Sequence, residues 1–330
     1  MAGGAVLVVG ATGQLGTAVV RRLSRRGAPV RALVRPASAH AHLEQPGIEL
    51  AFGDLRDGAS LDAACRGIET VVATANVVVP RGPASFRETE ELGYADLIEA
   101  CRRQGVRRFV FMSVPVTRED HRIATFALKR RIESALAASG LEAAVFRGSL
   151  FMDDWFALIG SSIPLRGAEA HTLRRPFWFS RMFLAAVGHS IEGRGIAFVP
   201  GTGRARHAFI ALDDVAEFLC AASLAPTAGG TYEIGGPQVL SWEEVVALFS
   251  RLLGRGVRSI HTPAGVYWTL SSVLQPFSEQ AANLMAMSAV VAEVDTAWDS
   301  REVADRFGVR LTGAEEFLRR RAALPETPGA

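Results

Sequence analysis

Lys129 is the only lysine among the 36 Lys and Arg side chains of this 330-residue sequence, and every other basic residue is arginine. An ammonium hydrogen-bonds ribose hydroxyls, and burial that favours its neutral form brings it into the range of proton transfer; a guanidinium stays charged. Its neighbours Arg130 and Arg131 argue the other way, for one solvated lysine on a basic surface. The second chemistry-bearing group is VLVVGATGQLG, where a strand runs into Gly10, Gly13 and Gly16 and then into a helix. Gly10 permits the tight turn, Gly13 lets the backbone approach a pyrophosphate, and Gly16 lets the helix pack on the strand. Thr12, Gln14 and Leu15 complete the loop and first turn, where helix N–H groups face an anion. A glycine triplet also serves plain turns, and what marks this one is its place at the first strand of an alternating pattern.

The second strand, VRALVR, ends on Arg35, and no acid occurs from residue 17 through 43. An NAD site places a carboxylate there for the ribose 2′-hydroxyl, whereas an NADP site places Arg for the phosphate, so NADP(H) is expected over NAD(H). A solvated surface arginine is the plain alternative. After the third strand, Asp54 is expected to accept from an adenine amino group and Leu55 to line the base, although the carboxylate fits a turn cap equally well. Ala73, in the fourth strand, is taken as a further cofactor-facing residue.

The elements that must position these residues follow from hydrophobic period. Short apolar runs at 5–10, 30–35, 48–52, 70–75, 108–113 and 142–147 alternate with helical stretches, which predicts a doubly wound parallel sheet of the Rossmann type. The period of Ile123, Phe126, Ile132 and Leu136 predicts a helix over 121–139, stopped by Gly140. Beyond residue 147 the alternation fails, returns around 205–235 with IALDDVAEFLCAAS and the strand TYEIGG (231–236), and then gives way to helices. The expected organisation is a dinucleotide domain over 1–150, with parts of 205–235 returning to it, and a smaller interleaved substrate lobe over 151–204 and 236–330. Ser241 and Glu244 form a capping box for a helix reaching Leu253.

In the lobe, Phe151 and Trp155 are the expected walls of a substrate pocket, among the aromatics Phe156, Phe177, Trp178, Phe179 and Phe183. Aromatic walls orient a flat, apolar molecule, although such clusters also serve as plain core. Residues 262–292 carry a single charge, Glu279, and Pro276 should break the run into two helices. Val266, Leu270, Val273, Leu274 and Phe277 share one face, expected to be a buried lid, a homodimer contact or a protein-partner surface, with weak membrane docking as a minor option and an ordinary helix pair completing the core as the plain alternative. His171, His189 and His207 are too scattered for a metal site, and Arg174, Arg175, Arg204 and Arg206 read as solvated pairs or contacts to an anionic substrate.

Composition excludes several classes. With 49% apolar and 21% charged residues the chain folds around a core, and a net charge of +2 gives no field for tracking nucleic acid. Cys65, Cys101 and Cys220 are an odd, widely spaced set that suits reduced thiols in a cytoplasmic protein. The AVLVV run is too short for a signal peptide, and no apolar run reaches the length of a membrane span.

The sequence resembles the NmrA-like, atypical branch of the short-chain dehydrogenase/reductase superfamily. The motifs that carry the resemblance are GATGQLG, Arg35 in VRALVR, GDL at 53–55, GVRRFVFMS at 105–113, FALKRRIESALAASGLEAAVFR, and DDVAEFLCAA followed by TYEIGGPQVLSWEEVVALFSRLLG. It implies a Rossmann fold, an NAD(P) cofactor, Lys129 as proton donor or acceptor beside the nicotinamide, and Ser113 as the family serine near that site. One departure stands out: the superfamily's Tyr-x-x-x-Lys pair has Thr125 in place of the tyrosine. The expected function is NAD(P)H-dependent reduction of a small aromatic or quinone-like molecule. The alternative, favoured by that departure, is a redox sensor or assembly factor that binds NADP(H) without turnover.

Overall fold

In a computed structural model of the chain, residues 4–76, 91–167, 173 and 178–325 are described. The first half contains β1 (Ala5–Val9), α1 (Gln14–Arg25), β2 (Val30–Val34), β3 (Ile48–Phe52), α2 (Gly58–Cys65), β4 (Ile68–Ala73), α3 (Gly93–Arg103), β5 (Arg108–Ser113), α4 (Ala124–Ala138) and β6 (Glu142–Gly148). The second half continues with α5 (Met152–Leu158), α6 (Trp178–Val187), α7 (Ser190–Arg194), β7 (Ile196–Pro200), β8 (Arg206–His207), α8 (Leu212–Leu224) and β9 (Gly230–Ile234). It closes with β10 (Leu240–Ser241), α9 (Trp242–Leu253), β11 (Arg258–Thr262), α10 (Ala264–Leu274), α11 (Glu279–Glu293), α12 (Arg301–Phe307) and α13 (Ala314–Ala322).

Seven strands form one parallel sheet in the order β3-β2-β1-β4-β5-β6-β9. Val6, Leu7, Val8 and Val9 are all buried, as a central parallel strand covered on both faces requires. One face packs on α1, α8 and α12 through Val19, Leu23, Phe218, Leu219 and Ala304; the other packs on α2, α3 and α4 through Leu61, Leu97, Cys101 and Ile132. The order reverses between β1 and β4, and a crevice opens there at the carboxyl ends of the strands. β9 rejoins the sheet beside β6 after the lobe has intervened. The lobe has its own core, in which Phe156, Phe209, Trp242 and Phe249 pack together.

Arg108 locks the far end of the sheet. Fully buried, it donates to the carbonyls of Ala222 (2.8 Å), Ala225 (2.6 Å) and Pro226 (3.0 Å) and pairs with Glu142 at 3.0 Å.

Several boundaries differ from the sequence reading for local reasons. The fourth strand is Ile68–Ala73 because Gly67, at φ +69°, ends the preceding turn sooner. A single 3-10 turn at 120–122 precedes α4, with Asp120 Oδ1 accepting from Thr117 N and Oγ1, so the helix begins at Ala124. The Ser241–Glu244 capping box is present, and α10 and α11 flank Pro276. Their burial differs, however: α11 packs inward, whereas Val266, Leu270, Val273 and Phe277 are exposed, so the α10 half is no buried lid. Among the described residues no helix is long and apolar enough to cross a membrane, and all three cysteines are free and buried.

Candidate functional site

The crevice continues into a cleft of about 380 Å³ lined by the β1–α1 turn, the ends of β2 through β6, α4, α5 and α11. Gly10 has φ +87°, and a Cβ there would lie 2.6 Å from Ala75 N. At Gly16 a Cβ would lie 2.1 Å from the Gly10 carbonyl oxygen, so any side chain would push α1 away from the turn. Among the described residues no side chain caps α1 at Gly13, and its first turn carries no acid, which leaves a positive helix end facing the cleft. Thr12, Gly13, Gln14 and Leu15 line the same wall.

Arg35 stands half-buried just past β2 and lines the cleft; its guanidinium makes no hydrogen bond or ion pair among the described residues. Leu55 belongs to the same lining. Asp54 also lines the cleft, but its carboxylate is engaged: Arg56 donates from Nε at 3.0 Å and from Nη2 at 2.9 Å. That guanidinium, the main cause, holds the Asp54 carboxyl below the usual carboxylate range. The turn role expected as the alternative is present, since Arg56 N also donates to Asp54 Oδ1. Ala73 does not reach the cleft. It is fully buried in the core, and Thr74, Ala75 and Asn76 line the wall instead, because β4 ends two residues before the sequence reading placed its end.

Lys129 projects from α4 into this cleft, buried to 2% exposure, with Nζ 4.8 Å from the centroid of the Phe111 ring and 5.5 Å from that of Tyr94. One turn earlier on the helix, Thr125 lines the cleft too, and its buried Oγ1 has no hydrogen-bond partner among the described residues. Asn283 of α11 accepts from Thr125 N at 3.2 Å through Oδ1. Ser113 lines the cleft from the end of β5, but its hydroxyl donates to Glu133, itself held by Arg130 (2.8 Å) and Arg147 (2.7 Å). Lys129, Ser113 and the glycine turn thus share one cavity.

At the lobe end, Phe151 and Trp155 line the cleft with Leu158, Met287 and Val290. Phe156 does not; it is lobe core. His171, Arg174, Arg175 and Phe177 lie outside the described residues, Arg206 pairs with Glu244 at 3.2 Å, and Arg204 is exposed. Among the described residues no cluster of His, Cys, Asp and Glu could hold a metal ion.

Three features were not anticipated. Asp154, on α5, lines the cleft, and burial, helped by Asp153, pushes its carboxyl up to about 7. Its signal was the acidic doublet inside the aromatic run FMDDWF. Asp153 is structural: fully buried, it accepts from Leu212 N at 2.9 Å and pairs with Arg321 at 2.7 Å. Asn283 and the pair Ser149 and Thr296 complete the lining from distant parts of the chain, with no local signal.

The NmrA-like family profile matches residues 3–318. The chain is 26% identical to the photosystem II assembly factor Ycf39 of Synechocystis over 322 residues, covering 95% of this chain and 89% of that protein. Its match to the Ycf39 of Cyanophora paradoxa is 32% identical but spans only 43% of this chain and 44% of that protein. The NAD(P)H azoreductase of Xenophilus azovorans is 28% identical, covering 77% of this chain and 76% of the enzyme. In fold, the chain is similar to the NADPH complex of the Escherichia coli quinone oxidoreductase QOR2, with TM-score 0.70, 20% identity and coverage of 96% and 99%.

Proposed function

The chain belongs to the NmrA-like family, and on that premise we propose that it binds NADP(H) in this cleft and reduces a small aromatic or quinone-like molecule. The observation that carries the proposal is the shared cavity: an uncapped helix end behind Gly10 and Gly16, Arg35 at one side, and Lys129 beside an apolar wall at the other. These residues fit a dinucleotide. The glycine turn would fill if either glycine carried a Cβ, the helix end suits a pyrophosphate, and the Arg35 guanidinium suits a 2′-phosphate. Gly13, Gln14 and Leu15 would hold the diphosphate, and Leu55 would lie against the base.

A bound NADPH supplies a hydride. Lys129 would hold the ribose hydroxyls and would deliver the matching proton from Nζ, leaving the electron pair of the N–H bond on nitrogen until water restores the proton. Phe151 and Trp155 orient a flat ring and exclude water from it. The test is a quinone panel with purified protein, following NADPH absorbance. Sustained NADPH loss that depends on the quinone supports reduction.

A second reading, dinucleotide binding without turnover, is favoured by Thr125 standing where a tyrosine would serve as acid, and by the similarity to assembly factors. NADPH binding with no turnover on any quinone would move the conclusion there.

A further inference from the structure

At the β6 end of the cleft a chain of hydrogen bonds runs from the lining into the protein. Ser149 Oγ lies 2.9 Å from Thr296 Oγ1, Thr296 Oγ1 lies 2.9 Å from His207 Nδ1, and His207 Nε2 lies 3.0 Å from the Val291 carbonyl oxygen. All three side chains are buried, and Ser149 and Thr296 both line the cleft.

The direction of every proton in this chain is fixed. A carbonyl oxygen only accepts, so His207 Nε2 must carry a proton and donate to Val291. Burial pushes the imidazole down to about 4, so at ordinary pH the ring is neutral and its Nδ1 only accepts. Thr296 therefore donates to His207. A hydroxyl has one proton, so Ser149 must donate to Thr296. Ser149 Oγ has then spent its only proton, and no other hydrogen bond reaches it among the described residues. What remains for the cleft is an acceptor that cannot become a donor.

We infer that Ser149, polarised through Thr296 and His207, selects among reducible aromatic molecules those that place a hydrogen-bond donor at this point, such as the hydroxyl of a hydroxyquinone, with the reducible carbonyl elsewhere on the ring. The inference rests on the cleft being the reductase site proposed above. The apolar neighbours Trp155, Val290 and Val291 give such a molecule its body contacts, and a ligand offering only ether or carbonyl oxygens at this point would set lone pair against lone pair. Ser149 is here a specificity-determining residue and takes no part in proton transfer.

The test uses 2-naphthol, which donates, and 2-methoxynaphthalene, which only accepts. Their binding to the NADPH-loaded full chain is read by tryptophan fluorescence quenching, with NADPH binding measured separately. In the wild type, 2-naphthol is expected to bind roughly tenfold or more tighter. Ser149→Ala should bring the two ligands within about twofold. Thr296→Val keeps the shape of the side chain but removes the hydroxyl that consumes the Ser149 proton. Ser149 is then free to donate, and 2-methoxynaphthalene should gain affinity while 2-naphthol is retained. A role in structure alone would give Thr296→Val no such gain. Wild-type protein that binds NADPH but does not distinguish the two ligands, or that binds neither, overturns the inference, as does a Thr296→Val variant with no gain for 2-methoxynaphthalene. Failure to bind NADPH at all removes the cofactor reading itself and this inference with it.

Discussion

The Lys129 ammonium rests against the Phe111 ring, Nζ lying 4.8 Å from the ring centroid, so the only lysine of the chain is held in the cleft by an aromatic floor. A ring face attracts a cation through its quadrupole and fixes where the ammonium stands. If Lys129 carries the proton, Lys129→Arg should keep much of the NADPH affinity and lose roughly 10² to 10⁴-fold in turnover, and Lys129→Met should lose both. Single-turnover hydride transfer at saturating cofactor measures this. Unchanged rates in both variants would take Lys129 out of the mechanism.

Arg35 bears on cofactor choice. Removing its guanidinium by Arg35→Ala should weaken NADPH by about 1.5 to 3 kcal/mol and leave NADH little changed, because only the former offers a 2′-phosphate. Calorimetric titration of both cofactors decides it. Equal losses for the two would point to a general packing role.

Asp154 makes stability depend on pH with a definite sign. Its carboxyl is raised from 3.8 to about 7 in the folded protein, so its contribution is fully present below the ordinary value and is lost as pH rises through about 7. Asp154→Asn removes the cost of the folded anion. Urea unfolding at about pH 8 should therefore find the variant more stable by ~1 to 3 kcal/mol, water in the cleft screening part of the effect, with the gain vanishing near pH 4. A difference independent of pH would mean that Asp154 is not held neutral by its surroundings.

Arg108 is a stability residue remote from the cleft. Arg108→Met would leave the carbonyls of Ala222, Ala225 and Pro226 without their donor and Glu142 without its buried partner. A loss of about 3 to 5 kcal/mol is expected, read from urea unfolding. Since Arg108 lies at the opposite end of the strands, NADPH affinity of the folded fraction should not move.

What could be read from the sequence was what neighbouring residues decide. Gly10 and Gly16 announce a turn that tolerates no Cβ, Ser241 and Glu244 are three residues apart and cap each other, and Pro276 stops a helix by itself. Features built from distant parts of the chain left no such trace. Ser149 and Thr296 meet across 147 residues, Thr296 and His207 across 89, and neither separation has a period to detect. Asp54 carries both kinds of signal. Its place after β3 puts it on the cleft wall, and Arg56, two residues on, engages the carboxylate by a purely local bond. The α10 face was legible as apolar, whereas its exposure depended on where α11 packs.

The late position of β9 and α11 has a consequence for biosynthesis. A chain leaving the ribosome releases β1 through β6 first, and with them the glycine turn, Arg35 and Lys129. Thr296, which sets the direction of the Ser149 proton, is translated 147 residues after Ser149. For that interval the nascent protein would hold the proposed nucleotide shelf without the wall proposed to sort substrates. Because α8 and α12 also cover one face of the sheet, that shelf would be completed only after they emerge.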